Sequence, residues 1–582
     1  MPPLTRNQKM VLGALCIAVA ISRWFALSAS QLDWDESLFA GGVRSYDVTE
    51  QRPHPPGYPL FILFAKMLRV ATPNDYRALQ AVVAIASLLL FPATFFLMRE
   101  LRFGFRAAIS GALITVFLPT VWYYSGTALS DIPALSAIVI ASALLLAGAR
   151  DPRLWIAGMF VAGIAAGIRP MHVIIAIVPA VIGARKAKTI LIGGAVFTLV
   201  VIASYLGAAL ATSNPPWGYI HQLGVTAHHI GTVDSFNNAT RLPLQKLAGK
   251  FFIGVLAGGR AGLAVLALAI VGLIAGAIRR SAAIAIILAM FVPIAIISWM
   301  MLDQSAVTRY GLAYVMLYSL LAAYGIDVIA RGLTPVVATI LIVAMIAWTA
   351  PALAIVHRQP SPPVAAMRWV RAHVPDNALH LYLDAPLGYH ADYLLADYPR
   401  RLFANYDEIP PAAYVPGNYC LINRLTLQPH VLYFSFPRKR LPQIARDTYF
   451  ETSIVPMETM IRFGDGWYQD EWDDERTHAW KWMGETSTTL FPPLNGAGVL
   501  DLHFHLPLDA LPHPTKVQII WNGSTLDQFV SKDLENARRY VLPSRTSPNE
   551  CRIVIDQAAH APGDPRDLGL ELYGVSWEPT QR

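Results

Sequence analysis

The stretch VLGALCIAVAISRWFALSASQLDWDESLFAGGVRSYDVTEQRPHPPGYP, residues 11–59, decides how this chain is built. Its first part, Val11–Leu27, is apolar and predicts a membrane helix. The second part, Gln31–Pro59, follows almost at once and carries three acids within four residues. Carboxylates beside a membrane are costly to hold, so we expect the chemistry of the protein here. The three acids are Asp33, Asp35 and Glu36.

The composition separates the chain into a membrane part and a soluble part. Of the 582 residues 54% are hydrophobic and 15% charged, against about 25% charged in soluble proteins. Nearly all of the apolar excess precedes residue 357, so residues 1–357 predict a transmembrane domain. Residues 358–450 predict an extracytoplasmic α/β linker region, and residues 451–582 a β-sandwich. The net charge of +7 is spread over short connections, which argues against nucleic acid as a partner.

The apolar segments predict a polytopic α-helical protein with about eleven spans. Two of the segments are short and are separated by Arg169 and Pro170. This pair suggests either a second anion contact on the outer side or a charged turn between two half-helices, and the turn is favoured. The segment Pro55–Val70 is also short and predicts a helix lying along the membrane surface. The predicted spans are near 10–28, 78–98, 106–124, 131–149, 154–168, 171–184, 188–211, 260–278, 282–301, 309–330 and 333–356.

The distribution of basic residues predicts the topology. Arginine and lysine fall on alternate connections, which the positive-inside rule places in the cytoplasm. The connections rich in acids, histidines and aromatic residues then face outward, together with the C-terminal domain. Arg6 and Lys9 precede the first span, which we interpret as an uncleaved anchor. We therefore expect a multi-pass protein of the bacterial inner membrane, with a cytoplasmic N-terminus and a periplasmic C-terminal domain.

The soluble part shows short alternating runs broken by Gly, Pro and Asn, which predict a jelly-roll-like sandwich. Four tryptophans between 467 and 482 suggest either a sugar-stacking platform or ordinary core residues, and core is favoured for any single one. The cysteines Cys16, Cys420 and Cys551 have no metal-ligand spacing. One disulfide, between Cys420 and Cys551, is compatible with the sequence, but free thiols are favoured.

The acids of the first outer loop suggest group transfer. A base within hydrogen-bond reach of an acceptor hydroxyl is what such a reaction needs, and Asp35 is the candidate. A neighbouring acid could raise the pKa of Asp35, bind a divalent cation or orient it. The alternative is that Asp35 caps the next helix, but a cap explains one acid and not three.

Three motifs taken in order give the sequence a family resemblance. Asp-Glu and then His-Pro-Pro-x-Tyr stand in the first outer loop, followed by ALSDIPALS (Ala128–Ser136) and TRYGLAYVMLYSLLAAYGI (Thr308–Ile326). Over residues 10–360 the sequence resembles the GT-C glycosyltransferases, polytopic enzymes that use polyprenyl-phosphate sugars. Within them it is similar to protein O-mannosyltransferases, aminoarabinose transferases and arabinosyltransferases.

The resemblance implies roles for several residues. Asp35 matches the catalytic base and Glu36 its companion acid, and Asp33 beside them is a further catalytic candidate. Asp131 matches an acid of the second outer loop, for which capping of the following helix is the alternative. Arg309, followed by Tyr310, matches the arginine that meets the lipid phosphate, and an interfacial anchor is the alternative.

Other polar residues of the outer loops are weaker candidates for substrate binding. Arg52 and His54 follow the acids and suit a phosphate or a cation, while a surface histidine in a proline-rich loop is an equal alternative. The third outer loop contributes Tyr219, His228 and His229, with Trp217, His221 and Asp234 nearby. Its histidines suggest zinc, but interfacial aromatics and surface histidines are favoured. No spacing decides whether a metal is bound, so a divalent cation stays an open expectation.

The resemblance implies an inverting glycosyltransferase. It would move a sugar from a polyprenyl-phosphate donor to a glycan, lipid or protein acceptor outside the cytoplasm. A lipid-linked sugar transporter or flippase is the first alternative, although few charges fall inside the predicted spans. A non-catalytic subunit of polysaccharide assembly is the second.

Overall fold

The computed structural model describes residues 3–580, apart from 234, 236–237, 239–240, 301–306, 376–379, 430, 445, 475, 512–513 and 562. The chain is mostly helical in its first part and rich in sheet in its C-terminal part, as the sequence predicts. It forms two compact units. The first comprises Met1–Ser361 together with Lys439–Asp447, and the second comprises Pro362–Arg438 and Thr448–Arg582.

The first unit is built from α-helices. The predicted apolar segments are helical over most of their described residues, although 106–124 is divided between two helices at Leu118 and 309–330 contains a turn at Tyr314. The helices are α1 Arg6–Ala26, α2 Trp34–Arg44, α3 Pro59–Leu68, α4 Asp75–Glu100, α5 Phe105–Phe117, α6 Pro119–Tyr124, α7 Asp131–Ala147, α8 Pro152–Ile168, α9 Ile174–Gly183, α10 Ala187–Leu210, α11 Trp217–Thr232, α12 Leu244–Phe252, α13 Gly259–Ile278, α14 Ala282–Met300, α15 Val307–Tyr310, α16 Met316–Ala330 and α17 Thr334–Arg358.

Six helical stretches among the described residues are long and apolar enough to cross a membrane. Four shorter apolar helices accompany them. The protein is therefore a multi-pass membrane protein. The six stretches are Arg6–Ala26, Asp75–Glu100, Ala187–Leu210, Gly259–Ile278, Ala282–Met300 and Met316–His373, and the shorter ones are Phe105–Phe117, Asp131–Ala147, Pro152–Ile168 and Pro170–Gly183.

Glycines allow two of the long helices to pack closely. A Cβ atom on Gly272 of α13 would lie 2.0 Å from the carbonyl oxygen of Leu321 on α16. In the reverse direction, a Cβ atom on Gly325 would lie 2.2 Å from the carbonyl oxygen of Leu268. Small residues let helix backbones approach in this way, which supplies packing where lipid removes the hydrophobic driving force.

The connection between α1 and α4 contains the two short helices α2 and α3. The sequence predicts a short helix over residues 55–70, and the structure has it as the ten-residue α3. Proline stands at its first position, where the missing N–H is no loss. This connection carries the acids of the first outer loop.

The second unit contains two helices, α18 Pro362–His373 and α19 Gly388–Leu394, and all of the described strands. A mixed sheet with the order β2-β1-β3-β5-β4 comes first, with β1 parallel to both β2 and β3. Its strands are β1 Leu381–Asp384, β2 Arg400–Phe403, β3 Tyr419–Ile422, β4 Leu432–Ser435 and β5 Glu451–Pro456.

Two five-stranded antiparallel sheets follow, with the orders β13-β10-β17-β8-β7 and β12-β11-β14-β9-β6, and a two-stranded ladder joins β15 to β16. Their inward residues form one core, in which Trp521 and Trp577 are buried, so the predicted sandwich is present. Trp467 and Trp472 pack against that core, and all three cysteines are free. The strands are β6 Arg462–Phe463, β7 Trp467–Trp472, β8 Ala479–Met483, β9 Thr486–Phe491, β10 Ala497–His505, β11 Thr515–Trp521, β12 Ser524–Ser531, β13 Glu535–Pro543, β14 Asn549–Ile555, β15 Ala559–His560, β16 Asp567–Leu568 and β17 Leu570–Pro579.

Candidate active site

The acids of the first outer loop are arranged by the start of helix α2. Asp33 is the N-cap, and its carboxylate accepts a hydrogen bond of 2.9 Å from the N–H of Asp35. Glu36 completes a capping box by accepting from the N–H of Asp33 at 2.9 Å. The cap of this helix is therefore Asp33 and not Asp35. Asp35 stands two residues after the N-cap, and its side chain is left for other contacts.

Glu36 mainly serves the backbone. Its carboxylate also accepts hydrogen bonds from the N–H of Leu32 and, at 2.5 Å, from that of Ala128. The second contact ties α2 to the turn before α7. Burial raises the pKa of Glu36 to about 7, although the three N–H donors oppose this. Glu36 thus joins two pieces of backbone.

Arg309 stands at the centre of the remaining acids. The guanidinium is 3% exposed, and its Nη1 lies 2.5 Å from Asp35 Oδ2 and 3.2 Å from Asp33 Oδ2. Its Nε lies 3.2 Å from Asp131 Oδ2. The structure thus brings together four residues from three distant parts of the sequence. Asp131 does not cap α7, since the N-cap is Ser130 and Asp131 is the first residue of the helix.

Arg169 also belongs to this cluster, although the sequence favours a charged turn at this position. Its Nη1 lies 3.3 Å from Asp131 Oδ1 and donates to Ser130 Oγ at 3.1 Å. The guanidinium also lies 5.8 Å from the ring centres of Tyr58 and Tyr310. The local signal was weak: an arginine before a proline between two apolar segments fits a turn as well as an ion pair.

A histidine and a tyrosine complete the cluster. His54 Nδ1 lies 3.7 Å from Asp35 Oδ1, and His54 Nε2 is hydrogen bonded to the Tyr58 hydroxyl at 3.0 Å. The rings of both pack on Phe39 of α2. Burial lowers the pKa of His54 below its ordinary value, so this imidazole is neutral at pH 7.

The carboxyl groups of the cluster differ in their ionisation. Burial raises the pKa of Asp35, but the charges of His54, when protonated, and of Arg309 hold it well below its usual range. Since His54 is neutral at pH 7, Arg309 and, to a smaller extent, Arg446 are the cations that keep the pKa of Asp35 low there. For Asp33 the effect of burial is larger than that of Arg309, so the pKa of this carboxyl is raised above its ordinary value. One acid is thus held as a carboxylate beside another that takes up a proton more readily.

The other predicted binding residues lie away from these contacts. Arg52 is exposed, and its backbone pairs with that of Asp47. His228 and His229 are exposed on α11, and Asp234 lies outside the described residues. Tyr219 is buried, and its hydroxyl donates to the carbonyl of Pro56 at 2.8 Å. Tyr219 therefore holds the turn that carries His54 and Tyr58.

The carboxylates do not fit a divalent cation in this arrangement. Asp33, Asp35 and Asp131 all point to the guanidinium of Arg309, which occupies the position a shared ion would need. Within the described part of the chain, no group of three histidine, cysteine or acidic residues has the geometry of a metal site. What the cluster supplies instead is a set of buried cations and carboxylates, suited to anion binding and proton transfer.

No protein family matches the sequence, and no curated protein matches it. Solved structures do resemble the chain. ArnT from Cupriavidus metallidurans bound to undecaprenyl phosphate is 14% identical with a TM-score of 0.46, over 76% of this chain and 97% of that one. The arabinofuranosyltransferase AftD from Mycobacteria is 12% identical with a TM-score of 0.41, over 99% and 59%. The arabinosyltransferase EmbB from Mycobacterium smegmatis is 9% identical with a TM-score of 0.37, over 99% and 65%.

These structures include arabinosyltransferases, a kind of enzyme that the sequence motifs also resemble. The chain spans about three fifths of the length of AftD and 65% of that of EmbB. With TM-scores below 0.5, the likeness adds nothing to an argument about activity, which has to come from the cluster around Arg309.

Proposed function

We propose that the protein is a glycosyltransferase that moves a sugar from a polyprenyl-phosphate donor to an acceptor outside the cytoplasm. The observation that carries the proposal is the buried cluster of Arg309, Arg169 and three aspartates. Burying five charges in an apolar helix bundle is costly, and structural stability alone gives little reason to keep them.

The arginines suit the phosphate of the donor. A guanidinium binds phosphate through two parallel N–H bonds, and both Arg309 and Arg169 are buried, where such bonds are strong. In the structure the carboxylates occupy these donors. An incoming phosphate would compete with Asp35 for Arg309. Once Arg309 turns to the phosphate, the pKa of Asp35 rises and the carboxylate becomes a better base.

The reaction that follows is a single displacement. Asp35 takes the proton of an acceptor hydroxyl, and the acceptor oxygen forms a bond to the anomeric carbon. The bond from that carbon to the phosphate oxygen breaks, and the lipid phosphate leaves with the electron pair. Arg309 and Arg169 stabilise the negative charge on the leaving group. One displacement inverts the configuration at the anomeric carbon, and no protein nucleophile is needed.

The orientation follows from the positive-inside rule. We place the N-terminus in the cytoplasm and both the cluster and the C-terminal unit on the periplasmic side of a bacterial inner membrane. The acceptor would then be an envelope glycan, a lipid or a protein hydroxyl. Membrane lipids are the surroundings of the helices, and the donor lipid reaches the cluster from the outer leaflet.

The test is transfer from radiolabelled polyprenyl-phosphate sugars to acceptors in membranes, with the purified wild type and Asp35→Asn. We expect the wild type to transfer sugar. The rate of transfer by the variant should be lower by about 10²- to 10⁴-fold, which is the usual contribution of a general base. Asp75→Asn is the matched control, because Asp75 pairs with Arg44 and Arg69 outside the cluster.

Equal transfer by the wild type and Asp35→Asn would remove Asp35 as the base. A folded wild type that uses no donor would contradict the proposal. It would favour a lipid-linked sugar transporter or a subunit of polysaccharide assembly instead.

A further inference from the structure

One short segment of the C-terminal part belongs to the membrane unit. Lys439–Asp447, here called the return segment, packs with the first unit although the residues on both sides of it belong to the second. Leu441 and Gln443 in this segment are fully buried. A loop that leaves its own domain and becomes buried in another needs a reason, since ordering a loop costs conformational entropy.

The return segment is attached beside the cluster. The hydroxyl of Tyr124 donates to the carbonyl oxygen of Gln443 at 2.9 Å. Tyr124 ends α6, and the turn that follows it contains Ala128, which donates to Glu36, and Ser130, which accepts from Arg169. The segment is therefore held at the turn that presents Asp131.

Arg446 brings a third arginine to the acids. Its guanidinium lies 4.3 Å from the ring centre of Trp34, the residue between Asp33 and Asp35. Burial raises the pKa of Asp33, while the charges of Arg309 and Arg446 lower it, so Arg446 is close enough to act on this carboxyl. A guanidinium that lies on an aromatic ring keeps its N–H donors in its own plane, which suits paired bonds to phosphate.

When all three aspartates are ionised, the charges of the cluster balance only if Arg446 is included. Asp33, Asp35 and Asp131 face Arg309 and Arg169, which leaves one negative charge in excess when all three are ionised. A phosphate entering such a site would meet net repulsion. Arg446 removes the excess, so the return segment makes the site electrostatically acceptable to an anion.

Gln443 adds an unsatisfied amide. Neither its Nε2 nor its Oε1 has a hydrogen-bond partner among the described residues, although the side chain is fully buried. Buried amides are nearly always hydrogen bonded, so this one calls for a partner. An amide both donates and accepts, which matches the hydroxyl groups of a sugar.

We propose that the return segment is part of the donor site, in which Arg446 binds the phosphate and Gln443 a hydroxyl group of the sugar. This inference rests on the proposed function and names the residues from outside the helix bundle that recognise its donor. It also gives a reason why a segment so far along the chain belongs to the membrane unit.

The test compares Arg446→Ala and Arg446→Lys with wild type in the full-length protein. The probe is undecaprenyl phosphate, with inorganic phosphate as the second ligand, and binding is followed by tryptophan fluorescence. Charge-assisted bonds of this kind are worth about 10- to 100-fold in affinity, so we expect Arg446→Ala to weaken binding of the lipid by that factor. Arg446→Lys should restore part of it, since it keeps the charge without the paired donors.

The matched control is Arg440→Ala, an exposed arginine in the same segment. It should leave the affinity unchanged. In transfer assays Arg446→Ala should raise KM for the donor more than it lowers kcat. Gln443→Leu should leave binding of undecaprenyl phosphate intact and raise KM only for the sugar-bearing donor, because the probe has no sugar.

The outcomes separate the two proposals. If the wild type neither binds undecaprenyl phosphate nor transfers sugar, the proposed function fails. If the wild type does both and Arg446→Ala matches Arg440→Ala in affinity, the inference alone is overturned. Inorganic phosphate bound as tightly as the lipid would also overturn it, because the ligand would then be free phosphate. Thermal unfolding of each variant shows whether it is folded. If Arg446→Ala does not fold, the comparison is made with Arg446→Lys.

Discussion

Replacing Arg309 with glutamine should destabilise the protein strongly and in a pH-dependent way. Glutamine keeps much of the side-chain volume and removes the charge that Asp33, Asp35 and Asp131 share. The three carboxylates would remain buried, facing one another without the central cation. Arg169 would still face Asp131, and Arg446 would still act on Asp33 and Asp35, but neither replaces the contacts that Arg309 makes with all three acids.

The expected magnitude follows from the burial of the cluster. Removing one partner of a buried ion pair typically costs about 3–5 kcal/mol, because the other charge stays buried without compensation. Here three acids share the lost partner, but Arg169 still faces Asp131. We therefore expect a loss of about 3–5 kcal/mol at pH 7, or roughly 3–6 °C in Tm for a chain of this length.

The pH dependence has a definite sign. In the wild type the pKa of Asp35 lies below its ordinary 3.8, so its pairing stabilises the fold above that pH and is lost as the pH falls. Without Arg309, burial raises the pKa above 3.8, and the ionised form then destabilises the fold at every higher pH. The gap in stability between wild type and variant should be widest at pH 7–8 and should narrow towards pH 4.

The assay is thermal unfolding of both proteins in detergent between pH 4 and 8. Arg279→Gln, an exposed arginine between α13 and α14, is the control and should change Tm by less than a degree or two. The assignment of Arg309 as the cation that holds the three acids would be refuted by either of two results. The difference in Tm between the wild type and Arg309→Gln could be small, or it could be constant between pH 4 and 8.

Three further changes test other parts of the site. Burial raises the pKa of Glu36 from 4.5 to about 7, so the free energy of unfolding should fall by about 3 kcal/mol as the pH rises from 4.5 to 7. In chemical unfolding, Glu36→Gln should flatten this pH dependence. The same pH dependence in the variant and the wild type would contradict the raised pKa. Gly126→Ala should prevent folding or lower Tm by many degrees, because the added Cβ atom would lie 1.7 Å from the carbonyl oxygen of Ala26. A Tm equal to that of the wild type would show that the turn around Gly126 packs differently. Treatment with EDTA should leave sugar transfer unchanged because Arg309 occupies the centre of the acids, and a loss reversed by magnesium or manganese would show a metal site.

The sequence predicts the helices and the acids well because both signals are local. Apolar segments of sufficient length form helices whatever surrounds them, and the D-W-D-E run at 33–36 marks a helix start as well as a charge cluster. The two sheets of the sandwich follow from alternation over five to nine residues, which is also local.

The composition of the site could not be predicted in the same way. Arg169 and Asp131 form an ion pair, but the residues around each of them do not predict this contact. Arg446 lies more than a hundred residues beyond Arg309 and more than three hundred beyond Asp131, so only the folded chain can place it. Arg52, by contrast, stands near the acids in sequence and away from their contacts, because the turn from Asp47 to Tyr58 directs His54 to Asp35.

The capping box of α2 imposes a spacing rule on the acids. An N-cap aspartate, the carboxylate two residues later and the glutamate after it are set by the geometry of one helix turn. A single insertion within residues 33–36 would move Asp35 around the helix axis by about 100° and away from Arg309. Asp131 and Arg309 are held by separate helices and tolerate changes in the length of the loops before them. A search for distant relatives should therefore keep D-x-D-E rigid and let the distances to the other two residues vary.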